Sequence, residues 1–115
     1  MNADALFTLF ADATRRRMLR LLLAEGELCV CELVAALDAD QPKVSRHLAR
    51  MRAEGLVEDR RAAQWMVYRV PDDARAPLAA LLGAADALAT PETFAADQAR
   101  LMGMTSRPPR TALAA

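Results

Sequence analysis

The sequence predicts a mainly α-helical fold with one small β-hairpin, and three observations carry that prediction. Apolar residues make up 54% of the chain but aromatics only 4%, and much of the apolar share is Ala and Leu, which favour helix over strand. Apolar positions recur at helical spacing along most of the chain, and only between Leu56 and Val70 does the period shorten to two. Gly, Pro and Asp fall between these stretches, where turns and caps use them. At 115 residues the chain fits one compact domain, or one protomer of a dimer, with no need of disulfides or metals to hold a core.

Residues 3–11 place Leu6, Phe7, Leu9 and Phe10 on a short helix more apolar than a lone surface helix requires, which predicts a partner surface. Asp12 is a good N-cap for a second helix, Ala13 to Ala24, ended by Gly26. Its Met18, Leu21 and Leu22 face one way, with Leu19 and Leu23 widening the stripe. Arg15, Arg16 and Arg17 fan over most of one turn, so at least one is expected to reach solvent or a phosphate, a solvated face being the simpler expectation.

A third helix begins near Cys29 and stops at Asp38-Ala39-Asp40, and a fourth runs from Gln41-Pro42 to Glu54 before Gly55. Two short helices joined by a three-residue turn suggest a helix-turn-helix. In the fourth helix Val44, Leu48 and Met51 pin one face to a core, leaving Lys43, Arg46 and Arg50 as a basic stripe on another.

The alternating runs Leu56–Arg61 and Trp65–Val70 flank Ala62-Ala63-Gln64 and predict a β-hairpin. Gly and Asn, the usual residues of a tight turn, are absent there, so a looser loop is expected. A helix-turn-helix followed by a hairpin is a winged helix. Pro71-Asp72-Asp73 starts a further helix in which Leu78, Leu81, Leu82, Ala85 and Leu88 form an apolar stripe. With Leu6, Phe7 and Phe10 of the first helix, that stripe is a candidate seam for a homodimer. Thr90-Pro91-Glu92 interrupts it: Thr90 caps another helix to about Met102, or Pro91 kinks a longer one. The domain is expected to span residues 1–102, with 103–115 a disordered tail carrying Pro108-Pro109 and two arginines.

The zero net charge hides a division. Residues 41–69 carry seven cations (Lys43, Arg46, Arg50, Arg52, Arg60, Arg61, Arg69) against three acids (Glu54, Glu58, Asp59), so that segment is +4 and the remainder −4. A basic block in a neutral protein points to a polyanionic partner, although Arg-rich helix faces are also commonly just solvated. The second helix of a helix-turn-helix enters the major groove of double-stranded DNA with its N-terminal residues at base edges. Gln41, Lys43, Ser45 and Arg46 then lie near the bases, Arg50 near phosphate, and Arg60, Arg61 and Gln64 on the wing near backbone or minor groove. His47, the only histidine, reads as a packing or phosphate contact rather than a metal ligand. The competing class is a helical adaptor with solvated charges. An enzyme is excluded: no Ser-His-Asp set, glycine loop or paired carboxylates appear, and a thiol enzyme would have only His47 as its histidine base. No run of 18 apolar residues exists and the first ten residues lack the basic region of a signal peptide, so a soluble cytoplasmic protein is expected, without a membrane partner.

Cys29 and Cys31 are the only thiols. One residue apart, they would close a tight ring as a disulfide, and reducing cytosol keeps such pairs as thiols, so ligands or redox groups are the expected roles. The strings Glu27-Leu28-Cys29-Val30-Cys31-Glu32-Leu33, Gln41-Pro42-Lys43-Val44-Ser45-Arg46-His47-Leu48, Glu54-Gly55-Leu56-Val57 and Trp65-Met66-Val67-Tyr68-Arg69-Val70 together resemble the ArsR/SmtB family of metalloid- and metal-responsive repressors. The resemblance spans roughly residues 3–90. It implies a winged-helix homodimer, joined by its first and last helices, that leaves operator DNA when an inducer binds.

On that resemblance Cys29 and Cys31 are the inducer ligands, and their soft thiolates suit As(III) or Sb(III), or another soft ion such as Cd(II), Pb(II) or Zn(II). An adjacent helix N-terminus is expected to lower their pKa. Residues i and i+2 stand about 200° apart on a regular helix, so binding is expected to unwind that turn. The chain departs from family patterns in having Val34 where arsenite repressors often place a third cysteine, no N-terminal cysteines of the cadmium and lead type, and Asp86 but no His on the last helix. A pyramidal As(III) would complete its shell with an external thiol, a hydroxide or a ligand from elsewhere in the dimer. The implied function is repression of arsenic-resistance genes; the alternatives are a thiol redox or persulfide regulator, a cadmium or lead sensor, and two structural cysteines.

Overall fold

A computed structural model of the chain describes residues 1–89 and 94–114. The elements are α1 (Ala3–Phe10), α2 (Ala13–Glu25), β1 (Glu27–Cys29), α3 (Val30–Leu37), α4 (Gln41–Ala53), β2 (Glu58–Ala62), β3 (Trp65–Arg69), α5 (Asp72–Leu88), α6 (Phe94–Met102) and α7 (Arg110–Leu113). The expected breaker Thr90-Pro91-Glu92 lies outside the described residues. Among those described, no helix is long and apolar enough to cross a membrane.

The caps expected from composition are in place. Asp12 Oδ1 accepts the Arg15 N–H at 3.0 Å and Asp40 Oδ1 the Lys43 N–H at 2.8 Å, each satisfying one of the amides that a helix start leaves without a partner. Gly26 ends α2 at φ 87°, a conformation open to glycine at no steric cost. Helix α2 is the central post: Met18, Leu21 and Leu22 are fully buried, and α1, α3, α5 and α6 all pack on it. Val44, Leu48 and Met51 are equally buried, so α4 is fixed to the same core by the face its spacing predicts.

The sheet has three antiparallel strands in the order β1-β3-β2. Strand β1 was not expected; its residues read as the approach to a helix, because three residues are too few to show a period of two. The turn between β2 and β3 is tight rather than loose. Ala62 pairs with Trp65, and the two-residue connection is made possible by Ala63 adopting φ 54°, the left-handed region that hairpin turns of this length require.

Three further expectations are corrected by long-range packing. Leu78 and Leu82 are 2% and 4% exposed and close the protomer's own core, where α5 packs on α2. Leu6, Phe10 and Leu81 are half-buried against that core, and Ala85 is half-buried. Only Phe7 and Leu88 of the expected seam are widely exposed, at 61% and 89%. The arginine triplet is structural: Arg15 donates to the Leu9 and Thr8 carbonyls, Arg16 to the Phe10 carbonyl, and Arg17 to the buried Asp97 at 2.8 and 3.0 Å. The segment after Gly103, expected to be disordered, folds back along β1 and ends in α7, with Leu113 buried beside Ala62 and Val67.

Candidate nucleic-acid interface and thiol site

Helices α3 and α4 meet through Asp38-Ala39-Asp40. Asp38 is left-handed at φ 50°, so the chain turns within three residues. On α4, Gln41, Lys43, Ser45, Arg46 and Arg50 are exposed on the side away from the core. Among the described residues no ion pair holds Lys43, Arg46, Arg50 or Arg61, so their charge faces solvent. The rest of the basic block is spent internally, with Arg52 on Asp59 and Arg69 on Glu58, each at 2.8 Å.

Arg60 departs from its expected place at DNA. Its guanidinium grips Glu27 at 2.9 and 3.0 Å and donates to the Leu113 carbonyl, so it braces β2 against β1 and the tail. Arg61 and Gln64 remain exposed on the wing. His47 is half-buried: Arg15 NH1 lies 3.3 Å from its Nδ1, and Asp12 lies 4.0 Å from its Nε2. Burial, together with Arg15, Lys43 and Arg46, outweighs the pull of Asp12 and lowers its pKa. The histidine therefore joins α4 to the start of α2, in the packing position that was one of its two expected roles.

Cys29 ends β1 and caps α3. Its backbone is extended, φ −82° and ψ 165°, and it forms a capping box with Glu32: the Cys29 N–H donates to Glu32 Oε1 at 3.0 Å, while the Glu32 N–H faces the Cys29 sulfur. As a member of β1 it also pairs with Val67 of β3. Two expectations change in consequence. Cys29 lies outside the helical turn, so the angular separation of about 200° on a regular helix does not apply, and both residues line one cleft. The Cys29 pKa is not lowered: burial first, and then the Cys31 thiol, push it up to about 12. Cys31 is exposed. The pair thus consists of one buried and one accessible sulfur.

Both thiols open on a cleft of about 260 Å³ lined by Cys29, Val30, Cys31, Gln41, Gln64, Trp65 and Met66. The cleft joins three elements that are far apart in sequence: the thiol corner, the first residue of α4 and the tip of the wing. The sequence marks Trp65 and Met66 as strand and family-motif residues but not as neighbours of the thiols, and Met66 adds a soft thioether to the lining. Among the described residues no cluster of three or more His, Cys, Asp or Glu side chains is arranged to hold a metal. Asp86, the acid considered on the last helix, is bound to Arg20 at 2.5 and 2.9 Å. Two soft thiols on a cleft suit a soft ion that brings its remaining ligand from outside.

Glu32 completes the corner from within. It is fully buried; burial opposes its charge, but Arg110, the Cys29 N–H and Arg107 outweigh that opposition and hold its carboxyl below the ordinary value.

Residues 12–59 match the family model described as bacterial regulatory protein, arsR family. The chain is 47% identical over 109 residues to the arsenic resistance transcriptional regulator ArsR1 of Pseudomonas putida, covering 94% of this chain and 84% of the relative. Among solved structures, the antimony-specific transcriptional repressor AntR is 30% identical with a TM-score of 0.62, covering 72% of this chain and 76% of the other. The homodimeric winged helix-turn-helix DNA-binding domain of Mb0332 from Mycobacterium bovis is 27% identical with a TM-score of 0.66, covering 72% and 77%.

Proposed function

The chain belongs to the arsR family of bacterial regulatory proteins, and from that premise we propose that it is a cytoplasmic homodimeric repressor, released from operator DNA when As(III) or Sb(III) binds Cys29 and Cys31. One observation carries the reading: the cleft that holds both thiols is bounded by Gln41 of the reading helix and by Gln64, Trp65 and Met66 of the wing. An ion seated there presses on both DNA-contacting elements at once. Cys29 is moreover paired directly with Val67 of the wing strand, so a shift of its backbone is passed to the hairpin through the strand ladder. Couplings of this kind are worth about 1–3 kcal/mol.

In this reading Cys31 reacts first because it is exposed and Cys29 follows, each S–As bond replacing an As–O bond as the thiol proton leaves with that hydroxide as water. A third donor comes from an external thiol or hydroxide. Gln41, Lys43, Ser45 and Arg46 address base edges, Arg50, Arg61 and Gln64 address backbone, and Arg60 and His47 hold the frame. Residues 1–102 form the DNA-binding and dimerisation unit, with Phe7 and Leu88 as the residues of the apolar seam most open to the partner. The relatives' roles in arsenic resistance and antimony-specific repression support the choice of inducer.

The test is a gel shift on an operator fragment obtained by in vitro selection, with arsenite, antimonite, cadmium, zinc and an organic persulfide in parallel. Release by arsenite or antimonite that disappears in Cys29→Ser/Cys31→Ser is expected. Equal release of wild type and the double variant refutes the site. Release by persulfide alone assigns the thiols to redox chemistry, and release by cadmium alone to divalent-metal sensing.

A further inference from the structure

The segment after Gly103 brings two guanidinium groups onto one buried carboxylate. Glu32 is 0% exposed; Arg107 Nε donates to its Oε2 at 2.6 Å and Arg110 to the same oxygen at 2.5 Å. The other oxygen, Oε1, accepts the Cys29 N–H at 3.0 Å. Glu32 is therefore a relay, with one oxygen held by the tail and the other holding the backbone of the thiol corner. The tail is anchored in turn. Arg107 also reaches Glu25 at 2.9 Å, Arg110 NH1 donates to the Glu27 carbonyl at 3.1 Å, and Leu113 is buried against the wing.

A buried carboxylate is stable in place only while its charge is compensated. With both arginines gone, Glu32 would keep the Cys29 N–H against the full cost of burial, and rotation of the carboxylate toward water becomes the cheaper state. That rotation takes the Oε1 bond away from Cys29. The corner then loses one of the two contacts that set the Cys29 backbone, the other being its pairing with Val67, and a two-donor site binds best when both donors are already set.

We propose that Arg107 and Arg110 are positioning residues of the thiol site, holding Glu32 on the Cys29 backbone so that the two sulfurs keep a fixed separation. The proposal rests on the inducer reading above. It makes the C-terminal segment part of the sensor, although its arginines lie 75 and 78 residues from Glu32 in sequence.

Four full-length proteins test it: wild type, Arg107→Gln/Arg110→Gln, Arg107→Lys/Arg110→Lys, and the Gln pair combined with Glu32→Gln. Two quantities are read, hydrogen exchange of the Cys29 amide and the arsenite concentration that half-releases the operator. In the Gln pair, Cys29 exchange accelerates and the arsenite requirement rises about fivefold, the factor one hydrogen bond is worth, while operator affinity without inducer is unchanged. The Lys pair recovers part of both. Adding Glu32→Gln restores both, because a neutral amide needs no cations and its carbonyl still accepts the Cys29 N–H; a tail with a merely stabilising role would not be rescued by a further core substitution. Unchanged Cys29 exchange in the Gln pair, or no recovery in the triple variant, overturns the proposal. A wild type that arsenite does not release overturns the inducer reading and this proposal with it; a responsive wild type beside an unaltered Gln pair overturns this proposal alone.

Discussion

Replacing Cys29 by Ser is expected to abolish the inducer response while leaving the fold nearly as stable as before. Cys29 is the N-cap of α3, with extended backbone and its side chain turned to the Glu32 N–H. Sulfur is a weak acceptor, whereas a serine hydroxyl is among the best N-cap groups, and exchanging a good cap for Ala costs about 1 kcal/mol. Against this stands burial: the side chain is 1% exposed, and giving up an apolar sulfur for a hydroxyl forfeits roughly the transfer term of one methylene, about 0.8 kcal/mol. The two terms nearly cancel for Cys29→Ser. Cys29→Ala gives up the buried sulfur as Ser does but offers no cap in return, which leaves it about 1 kcal/mol below the Ser variant, or about 4 °C in Tm for a chain of this size. Cys31 is exposed, so its Ser and Ala variants should agree within about 0.5 kcal/mol. The measurement is urea denaturation and thermal melting under reductant at one protein concentration, which matters for the proposed homodimer, beside the operator shift with arsenite. A Ser variant clearly less stable than the Ala variant would place Cys29 in the apolar core rather than at the cap. Loss of inducer-free operator binding in the Ser variant would also refute the assignment.

The basic residues divide into those facing solvent and those bound internally, and salt dependence separates them. Arg50→Ala should reduce the slope of log affinity against log salt by about one, whereas Arg60→Ala should leave it unchanged because Glu27 and the Leu113 carbonyl occupy that guanidinium; fluorescence anisotropy on the operator across a salt series decides, and equal slopes would refute the division. His47 has a lowered pKa, chiefly from burial. Between its folded and unfolded pKa the unfolded chain binds more protons, so the histidine's contribution is present in full above the unfolded value of about 6.5 and is lost as pH falls toward the folded value. Urea midpoints between about pH 5 and pH 7.5 should therefore fall on acidification in wild type and fall less in His47→Gln; parallel profiles would refute it.

The sequence by itself determined the elements whose causes are local. Asp12 and Asp40 cap the helices that follow them, Gly26 closes α2, and Val44, Leu48 and Met51 bury the face their spacing assigns, because caps and helical periodicity act within about four residues. The exposed basic stripe of Lys43, Arg46 and Arg50 follows from the same periodicity. Tertiary structure decided everything that depends on a partner far along the chain. Strand β1 exists because β3 pairs with it, and that pairing draws Cys29 out of the helix and onto the cleft it shares with Cys31. Arg60 is turned from DNA by Glu27, and Leu78 and Leu82 are taken into the protomer's core by α2. The tail is ordered by two arginines that compensate one buried carboxylate. A strand's ladder partner, a carboxylate's counter-charge and the burial of a leucine are supplied by residues that only folding brings together, and so the two cysteines were visible in the sequence while the geometry of their site was not.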